Sequence, residues 1–464
     1  MQNSEILALP EKIHPERLMK RLDQLAQIGK SAQNGVTRLA FTEEDRLARE
    51  LVIDWMCEAG LDVRVSPIGN ILGRLGEEDA DVPVVMTGSH IDTVVDGGKF
   101  DGAFGVIAAI EVAQVIKEDG VSLSHPLEVV CFVMEESSRF SVGYAFGSKV
   151  MTGQPISEEM LLARDKDGQT LVEAIYHMRS QELGSSKGVP RQGDLIETVS
   201  TYIRESRYPE NRIKAFVELH IEQGPVLHTL RKPIGAVTAI AAPTRLGVTF
   251  VGRQNHSGTT PMGLRKDALV ASAEVILAVE SICKSSESVV GTVGRIEVQP
   301  NVINVISGKV RMFIDVRSVS NKAKTEVVNS VRKEIRRIAN SRGIVYEMDT
   351  ITDETPQPLS EKIVSLIEKH CGNLGIECHL LTSGAGHDAA QVAKVVEDTG
   401  MIFVPSRDGV SHGPQEWTDE QDILKGTQIL LLTLLDLTQS YKITGSRYSP
   451  KTSRKTPQIS PRVQ

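Results

Sequence analysis

Residues 82–136 read VPVVMTGSHIDTVVDGGKFDGAFGVIAAIEVAQVIKEDGVSLSHPLEVVCFVMEE, and this stretch decides the fold. Two short apolar runs, Val82 to Met86 and Leu127 to Val133, flank an Ala-rich stretch from Gly105 to Ile116 of helical character. Strand, helix, strand is a βαβ unit, whose parallel strands are buried on both faces and whose ligands gather beyond the strands' C-terminal ends. His90 and Glu135 fall just past such ends. Asp92 follows His90 by two positions, close enough for its carboxylate to turn back on the imidazole and orient it, although an ordinary polar pair would look the same.

Upstream, Leu47, Leu51, Val52, Trp55 and Met56 recur at helical spacing, with Thr42 as N-cap, Asp45 at the capping-box position and Gly60 as the stop. Downstream, residues 157–212 are charged and Gly-containing, with one helical piece around Leu171 to Met178, and read as a surface excursion. From Thr238 the pattern changes: Arg245 to Gly252, Val289 to Val298 and Lys309 to Arg317 alternate apolar and polar, with helical stretches at Lys266 to Ile282 and Lys322 to Asn340. This predicts a small α+β unit with one sheet face covered by two helices. The helix Leu359 to His370, the run Met401 to Val404 and the helix Thr418 to Leu437 then resume the α/β style. The expected division is therefore a discontinuous catalytic domain over residues 1–238 and 355–444, an inserted domain over 239–354, and a flexible tail over 445–464. That tail has five Lys or Arg and no acidic residue.

A chain of 464 residues suggests two domains, and 40% hydrophobic with 24% charged residues is enough to bury large cores. The net charge of -8 argues against nucleic acid as a partner, so an anionic substrate would need a local arginine. Cys57, Cys131, Cys283, Cys371 and Cys378 are scattered and form no C-x-x-C pair, which points away from disulfides and thiolate metal sites. No signal pattern and no uncharged span of membrane length is evident, and a cytoplasmic location is expected.

Asp101 lies in the Gly-rich run Asp96 to Gly102 ahead of a helix, where a carboxylate can bridge two cations or simply cap a turn. Glu135 and Glu136 are adjacent carboxylates at a strand end, so one can hold a metal while the other moves protons. His220 and His412 adjoin further apolar runs.

Seven segments in order, Gly88-Ser89-His90-Ile91-Asp92-Thr93-Val94, Gly97 to Gly102, Glu135 to Phe140, Glu218-Leu219-His220-Ile221-Glu222-Gln223-Gly224-Pro225, Asn255-His256-Ser257-Gly258, Gly384 to Ala389 and Val410-Ser411-His412, carry a resemblance. They resemble the hydantoinase/carbamoylase branch of the metal-dependent peptidase and amidase superfamily, over about Ile13 to Leu437. The resemblance implies an α/β fold, with a zinc-peptidase-like mixed-sheet catalytic domain and an inserted ferredoxin-like dimerisation or lid domain. It implies two divalent ions per subunit, zinc or else manganese, cobalt or nickel. Asp101 would bridge them, His90 and His220 would hold one, and Glu136 and His412 the other. Glu135 would be the general base. His256, from the smaller domain, would steady the oxyanion, in a partner subunit's site if the protein is a homodimer. Gln223, Asn304, Arg317 and Gly386 would contact substrate, Arg317 by clamping a carboxylate.

The chain departs from the family pattern at Ser137, where relatives carry glycine, and in a long interval between Glu136 and His220. The function implied is cleavage of the carbamoyl group of N-carbamoyl-L-amino acids to amino acid, carbon dioxide and ammonia. Allantoate is the second substrate; a peptidase or N-acyl-amino-acid amidase, and a silent binding protein, are the other readings.

Overall fold

The computed structural model describes residues 7–76, 82–140, 142–184 and 190–439, so the expected tail at 445–464 and the last residues assigned to the catalytic domain lie outside the described residues. In chain order the strands are β1 (Asp62–Val65), β2 (Ile71–Leu75), β3 (Val84–His90), β4 (Leu127–Phe132), β5 (Ile213–Ile221), β6 (Ile234–Ile240), β7 (Ala242–Val251) and β8 (Asn255–His256). They continue as β9 (Val289–Gln299), β10 (Val305–Ile306), β11 (Lys309–Ser318), β12 (Val345–Asp353), β13 (Gln357–Pro358), β14 (Cys378–Ser383) and β15 (Thr399–Val404).

The larger sheet runs β1-β2-β4-β3-β5-β15-β6-β13, with β14 alongside β6. Its centre, β4-β3-β5-β15, is parallel, and the strands flanking it are antiparallel. Every residue of β3, β4 and β15 is buried, which is why these segments are largely apolar rather than alternating, with Glu128 in β4 a buried charged exception. The helix Ala103–Glu118, buried along nearly its whole length, packs one sheet face together with Glu420–Thr438, Glu361–Leu374 and Pro15–Gln27. Thr42 caps Glu43–Glu58 by accepting from the Asp45 N–H, as its sequence predicts.

From β3 the chain goes to β4 on one side, and β5 lies on the other side of β3. Strand order thus reverses about β3, and the crevice at such a reversal is where open α/β sheets bind ligands.

The second sheet is separate, antiparallel and ordered β12-β7-β11-β9. Leu246, Val248, Phe250, Val310, Met312, Ile314 and Val316 point to one face and pack beneath the helices Ala268–Lys284 and Asn321–Arg342. The opposite face bears Arg245, Phe313, Asp315 and Arg317, because alternate residues of a strand face opposite ways. The chain passes between the sheets at Ala241 and again at Glu354 to Pro356.

One expectation is corrected. Residues 157–212 are not a surface excursion with a single helix: they contain Glu158–Leu162, Leu171–Glu182 and Gln192–Glu205. Leu161, Leu171, Ile175, Leu195, Val199 and Ile203 are buried against Ile68, Val133, Met134 and Phe140. The last three of that row are spaced by four, a helical stripe that the surrounding charges masked. This layer backs the turn that carries Glu135. No described helix is long and apolar enough to cross a membrane.

Candidate metal centre

Four neighbouring parallel strands deliver the candidate residues at their C-terminal ends. His90 is the last residue of β3, Glu135 and Glu136 follow β4, His220 lies one residue from the end of β5, and His412 is in the loop after β15. All but Glu136 and His412 are more than nine-tenths buried.

The imidazole orientations follow from their hydrogen bonds. His90 Nδ1 is 3.0 Å from the Asp92 carbonyl oxygen, and His220 Nδ1 is 2.8 Å from that of Ile221. A carbonyl can only accept, so each Nδ1 carries the proton and each Nε2 presents its lone pair. The two Nε2 atoms face the acidic groups: His220 Nε2 is 3.2 Å from Asp101 Oδ1, and His90 Nε2 is 3.9 Å from Glu135 Oε2. A ring held by one nitrogen and presenting the other is the arrangement metal-binding histidines use.

The expected role of Asp92 is corrected in detail. Its carboxylate is 3.6 Å from His90 Nδ1, and its two oxygens instead accept the backbone N–H groups of Glu135 (3.0 Å) and Glu136 (3.1 Å). It therefore orients the imidazole through its main chain and fixes the glutamate turn through its side chain. The reason is local: Met134 and Ser137 adopt positive φ (56° and 53°), so the chain turns sharply after β4 and points those amides at Asp92. At Ser137, where a glycine would relax, the left-handed backbone carries strain, and its buried Oγ has no hydrogen-bond partner among the described residues.

Asp101 sits between the two groups. Its Oδ1 meets His220, while Oδ2 is 3.1 Å from His412 Nε2, which is also 3.3 Å from Glu136 Oε1. The same Oδ2 accepts from Gln223 Nε2 at 2.8 Å. Gly102 allows this approach: it has φ 63°, and a Cβ there would lie 2.4 Å from the His90 ring. Two overlapping sets of three donors result, His90/Asp101/His220 and Asp101/Glu136/His412, the donor atoms of each within 4.8 Å of one another. Oxygen and imidazole donors that share one carboxylate suit a pair of divalent transition ions.

The crowded carboxylates make the centre a place for positive charge: hydrogen bonds to Asp101 and Glu136 raise His412 to about 11, and a bound cation would have to displace that proton. Burial pushes Glu135 well above the usual carboxylate range, with the Glu136 charge adding to it and His90 opposing.

The substrate candidates stand apart. Gln223 joins the centre directly, its backbone at φ 57°. Arg317 projects from the open face of the second sheet; Asp315 takes its Nε (2.9 Å) and Nη2 (3.2 Å), and its Nη1 donates to the Gly384 carbonyl (3.1 Å). One fork of the guanidinium is thus already occupied. Two residues on from Gly384, Gly386 lies against Tyr144, whose ring would be 2.6 Å from a Cβ there. His256 sits on the small β8–β10 ribbon and Asn304 in the turn just before β10; both are exposed and make no hydrogen bond or ion pair to the centre among the described residues. The His256 Nδ1 accepts the Gly258 N–H at 3.0 Å, which leaves Nε2 of the neutral ring as a donor.

Several residues escaped the sequence reading. Glu416 is 4% exposed and accepts from the Phe100 and Asp101 N–H groups; burial, then the Asp101 charge, raises it to about 7. Behind His220, Glu218 accepts from Ser89 (2.7 Å) and the Ala389 N–H (2.8 Å), and the His387 ring stands edge-on to His220 at 4.6 Å. Burial, then the Glu218 charge, lifts Asp388 to about 8. Tyr144 donates to Glu354 where the chain returns from the second sheet. The signal for Glu416 was its place in the short Gly-Pro loop after His412; Glu218, His387 and Asp388 lie within the segments that carry the resemblance but were given no role, and Tyr144 had no signal.

Comparison with known proteins gives a consistent result. Residues 86–436 match Peptidase family M20/M25/M40. The chain is 40% identical to an N-carbamoyl-L-amino-acid amidohydrolase of Pseudomonas sp., over 91% of this chain and 98% of the relative. It is 37% identical to an allantoate amidohydrolase of Bacillus subtilis, over 88% and 94%. A crystal structure of a hydantoinase/carbamoylase family amidase from Burkholderia multivorans superposes with a TM-score of 0.80 at 34% identity, over 92% of this chain and 98% of that one. The mixed α/β fold expected from the sequence is the fold they share.

Proposed function

The chain belongs to Peptidase family M20/M25/M40, and from that premise we propose that it is a metal-dependent amidohydrolase removing the carbamoyl group of N-carbamoyl-L-amino acids. The observation that carries this reading is the pair of donor triads sharing Asp101, with the buried Glu135 beside them. His90, Asp101 and His220 would hold one divalent ion and Asp101, Glu136 and His412 a second, zinc or else manganese, cobalt or nickel. When bound, such ions polarise the ureido carbonyl and acidify water near neutral pH.

The remaining chemistry belongs to the chain. Glu135 takes a proton from water as it attacks the ureido carbon and returns it to the leaving nitrogen, so the amine departs neutral. Arg317 binds the substrate carboxylate through the guanidinium edge that Asp315 leaves open, and Gln223, Asn304 and the Gly386 loop orient the ureido group. His256 donates to the developing oxyanion.

The division into residues 1–238 with 355–444 and an inserted 239–354 is part of the proposal, as is a homodimer in which His256 serves the partner's centre. The exposed position of His256, with no bond to the centre of its own chain, supports that arrangement.

An ammonia-release screen of the metal-loaded protein tests the reading, with N-carbamoyl-L-amino acids, N-carbamoyl-β-alanine and allantoate as substrates, alongside a ninhydrin assay on N-acetyl amino acids. N-carbamoyl-L-amino acids should give the highest kcat/KM. Preference for allantoate would replace the substrate, and turnover of N-acetyl compounds alone would overturn the ureido reading.

A further inference from the structure

Glu416 is a buried carboxylate that no proposed chemical step uses, and every contact it makes ties down the metal centre. Its Oε1 accepts the N–H groups of Phe100 at 2.9 Å and Asp101 at 3.1 Å. Its Oε2 accepts the Ser411 hydroxyl at 2.9 Å. Ser411 Oγ also lies 3.1 Å from Asp101 Oδ2, so a single hydroxyl joins the bridging carboxylate to Glu416. The loop around it is shaped to admit the carboxylate: at Gly98 a Cβ would fall 1.9 Å from the Glu416 Cδ. Both of its oxygens are engaged by N–H and O–H donors, and it belongs to neither donor triad.

The two triads differ in how they are held. His90 and His220 sit in buried strands, each imidazole locked by a main-chain carbonyl. His412 has no such support: it is in a loop, at φ 56°, with its side chain 48% exposed. Glu416 holds this loop at two points, through the Ser411 hydroxyl and by donating its N–H to the Gly413 carbonyl at 3.0 Å, while Gln223 Nε2 lies 3.4 Å from Ser411 Oγ and 3.2 Å from His412 Nε2.

We propose that Glu416 is a positioning residue that anchors the Ser411–His412 loop beside Asp101, so that it sets the affinity of the Asp101/Glu136/His412 triad for its ion far more than that of the His90/Asp101/His220 triad, whose imidazoles are locked by main-chain carbonyls. The inference rests on the dinuclear reading above. Groups that orient metal ligands in this way are typically worth about 10- to 100-fold in metal affinity.

The test is zinc stoichiometry and stepwise affinity, by elemental analysis and competition with a chelating dye, on the intact protein and three variants. The wild type should hold two ions per subunit. Glu416→Ala should hold one as tightly as the wild type and bind the other about 10- to 100-fold more weakly. Glu416→Gln should restore both, because the amide oxygen still accepts the two N–H groups and the NH2 can donate to Ser411 Oγ. Gly98→Ala, which displaces the carboxylate without removing it, should weaken the same ion. The proposal is overturned if Glu416→Ala keeps two ions at wild-type affinity. It is equally overturned if both affinities fall together with the thermal midpoint of the metal-free protein, or if Glu416→Gln behaves like Glu416→Ala. A wild type that binds fewer than two ions would instead bring down the dinuclear reading, and this inference with it.

Discussion

The C-terminal rim of the larger sheet and the open face of the smaller one hold the two halves of the candidate site, and they hold them differently. On the rim, His90, Asp101, Glu135 and His220 are buried, and each imidazole or glutamate turn is fixed by backbone hydrogen bonds. On the other side, Arg317 is partly exposed and joined to the rim through the Gly384 carbonyl, while His256 lies exposed on a two-residue ribbon and Asn304 in the turn that leads into it. A reaction centre needs fixed geometry, and groups within strand ends pay little entropy for it. Recognition groups must admit a substrate, which fits their more exposed setting.

The sharpest break in this comparison comes from the rim. His220→Ala should lose bound metal and drop hydrolysis below detection, since it removes a donor whose partner Asp101 bridges both triads. Elemental analysis beside activity checks this, and retention of two ions would remove His220 from the ligand set. Glu135→Gln separates chemistry from binding: metal content should stay at the wild-type value while kcat falls by about 10²- to 10⁴-fold, the usual worth of a positioned proton carrier. Near-normal turnover would mean that another group moves the proton.

His256→Ala tests whether the smaller region reaches the reaction at all. A donor aimed at an oxyanion is worth about 3 kcal/mol, so kcat should fall roughly 100-fold. Mixing this variant with His90→Ala should recover activity if the site is shared between subunits, because one mixed site then has both parts intact. Confirmed mixed dimers that stay inactive would confine His256 to its own chain.

The same contrast explains what the sequence disclosed. The rim was legible because its residues follow largely apolar strands, β3 and β4, that are buried throughout, and because they stand in the segments that carry the family resemblance. The resemblance named candidate ligands but not the groups that support them. Asp92 turned out to serve the Glu135 and Glu136 amides, which depends on positive φ at Met134 and Ser137. Glu416 was hidden because a lone loop carboxylate has no periodicity to betray its burial. The layer over residues 157–212 was misread because its apolar stripe of Leu195, Val199 and Ile203 is narrow and the intervening residues are polar.

A smaller effect is expected at Arg317. Lysine keeps the charge but cannot grip Asp315 by two nitrogens while offering a second edge to substrate. Arg317→Lys should raise KM for ureido acids about tenfold with kcat little changed, consistent with one charged hydrogen bond of roughly 1.5 kcal/mol. A substrate amide in place of the carboxylate should erase the difference between wild type and variant, and if it does not, Arg317 does not read the carboxylate.

The smallest effect should come from the seam itself. Tyr144 lies against Gly386 on the rim side and donates to Glu354 Oε2 at 3.0 Å, in the chain returning from the smaller sheet; Lys149 Nζ is 4.8 Å from the Tyr144 ring centroid and 3.9 Å from Glu354 Oε1. Tyr144→Phe keeps the ring, and so the packing on Gly386, and removes only the hydroxyl's bond across the seam. The loss should be about 1 kcal/mol in unfolding free energy, because Lys149 still neutralises Glu354, with kcat/KM reduced no more than a few-fold. Denaturant unfolding and steady-state kinetics measure both. If the kinetic loss instead rivals that of Glu135→Gln, the seam is part of the reaction centre, and the division between a buried rim and an exposed recognition face fails where the two meet.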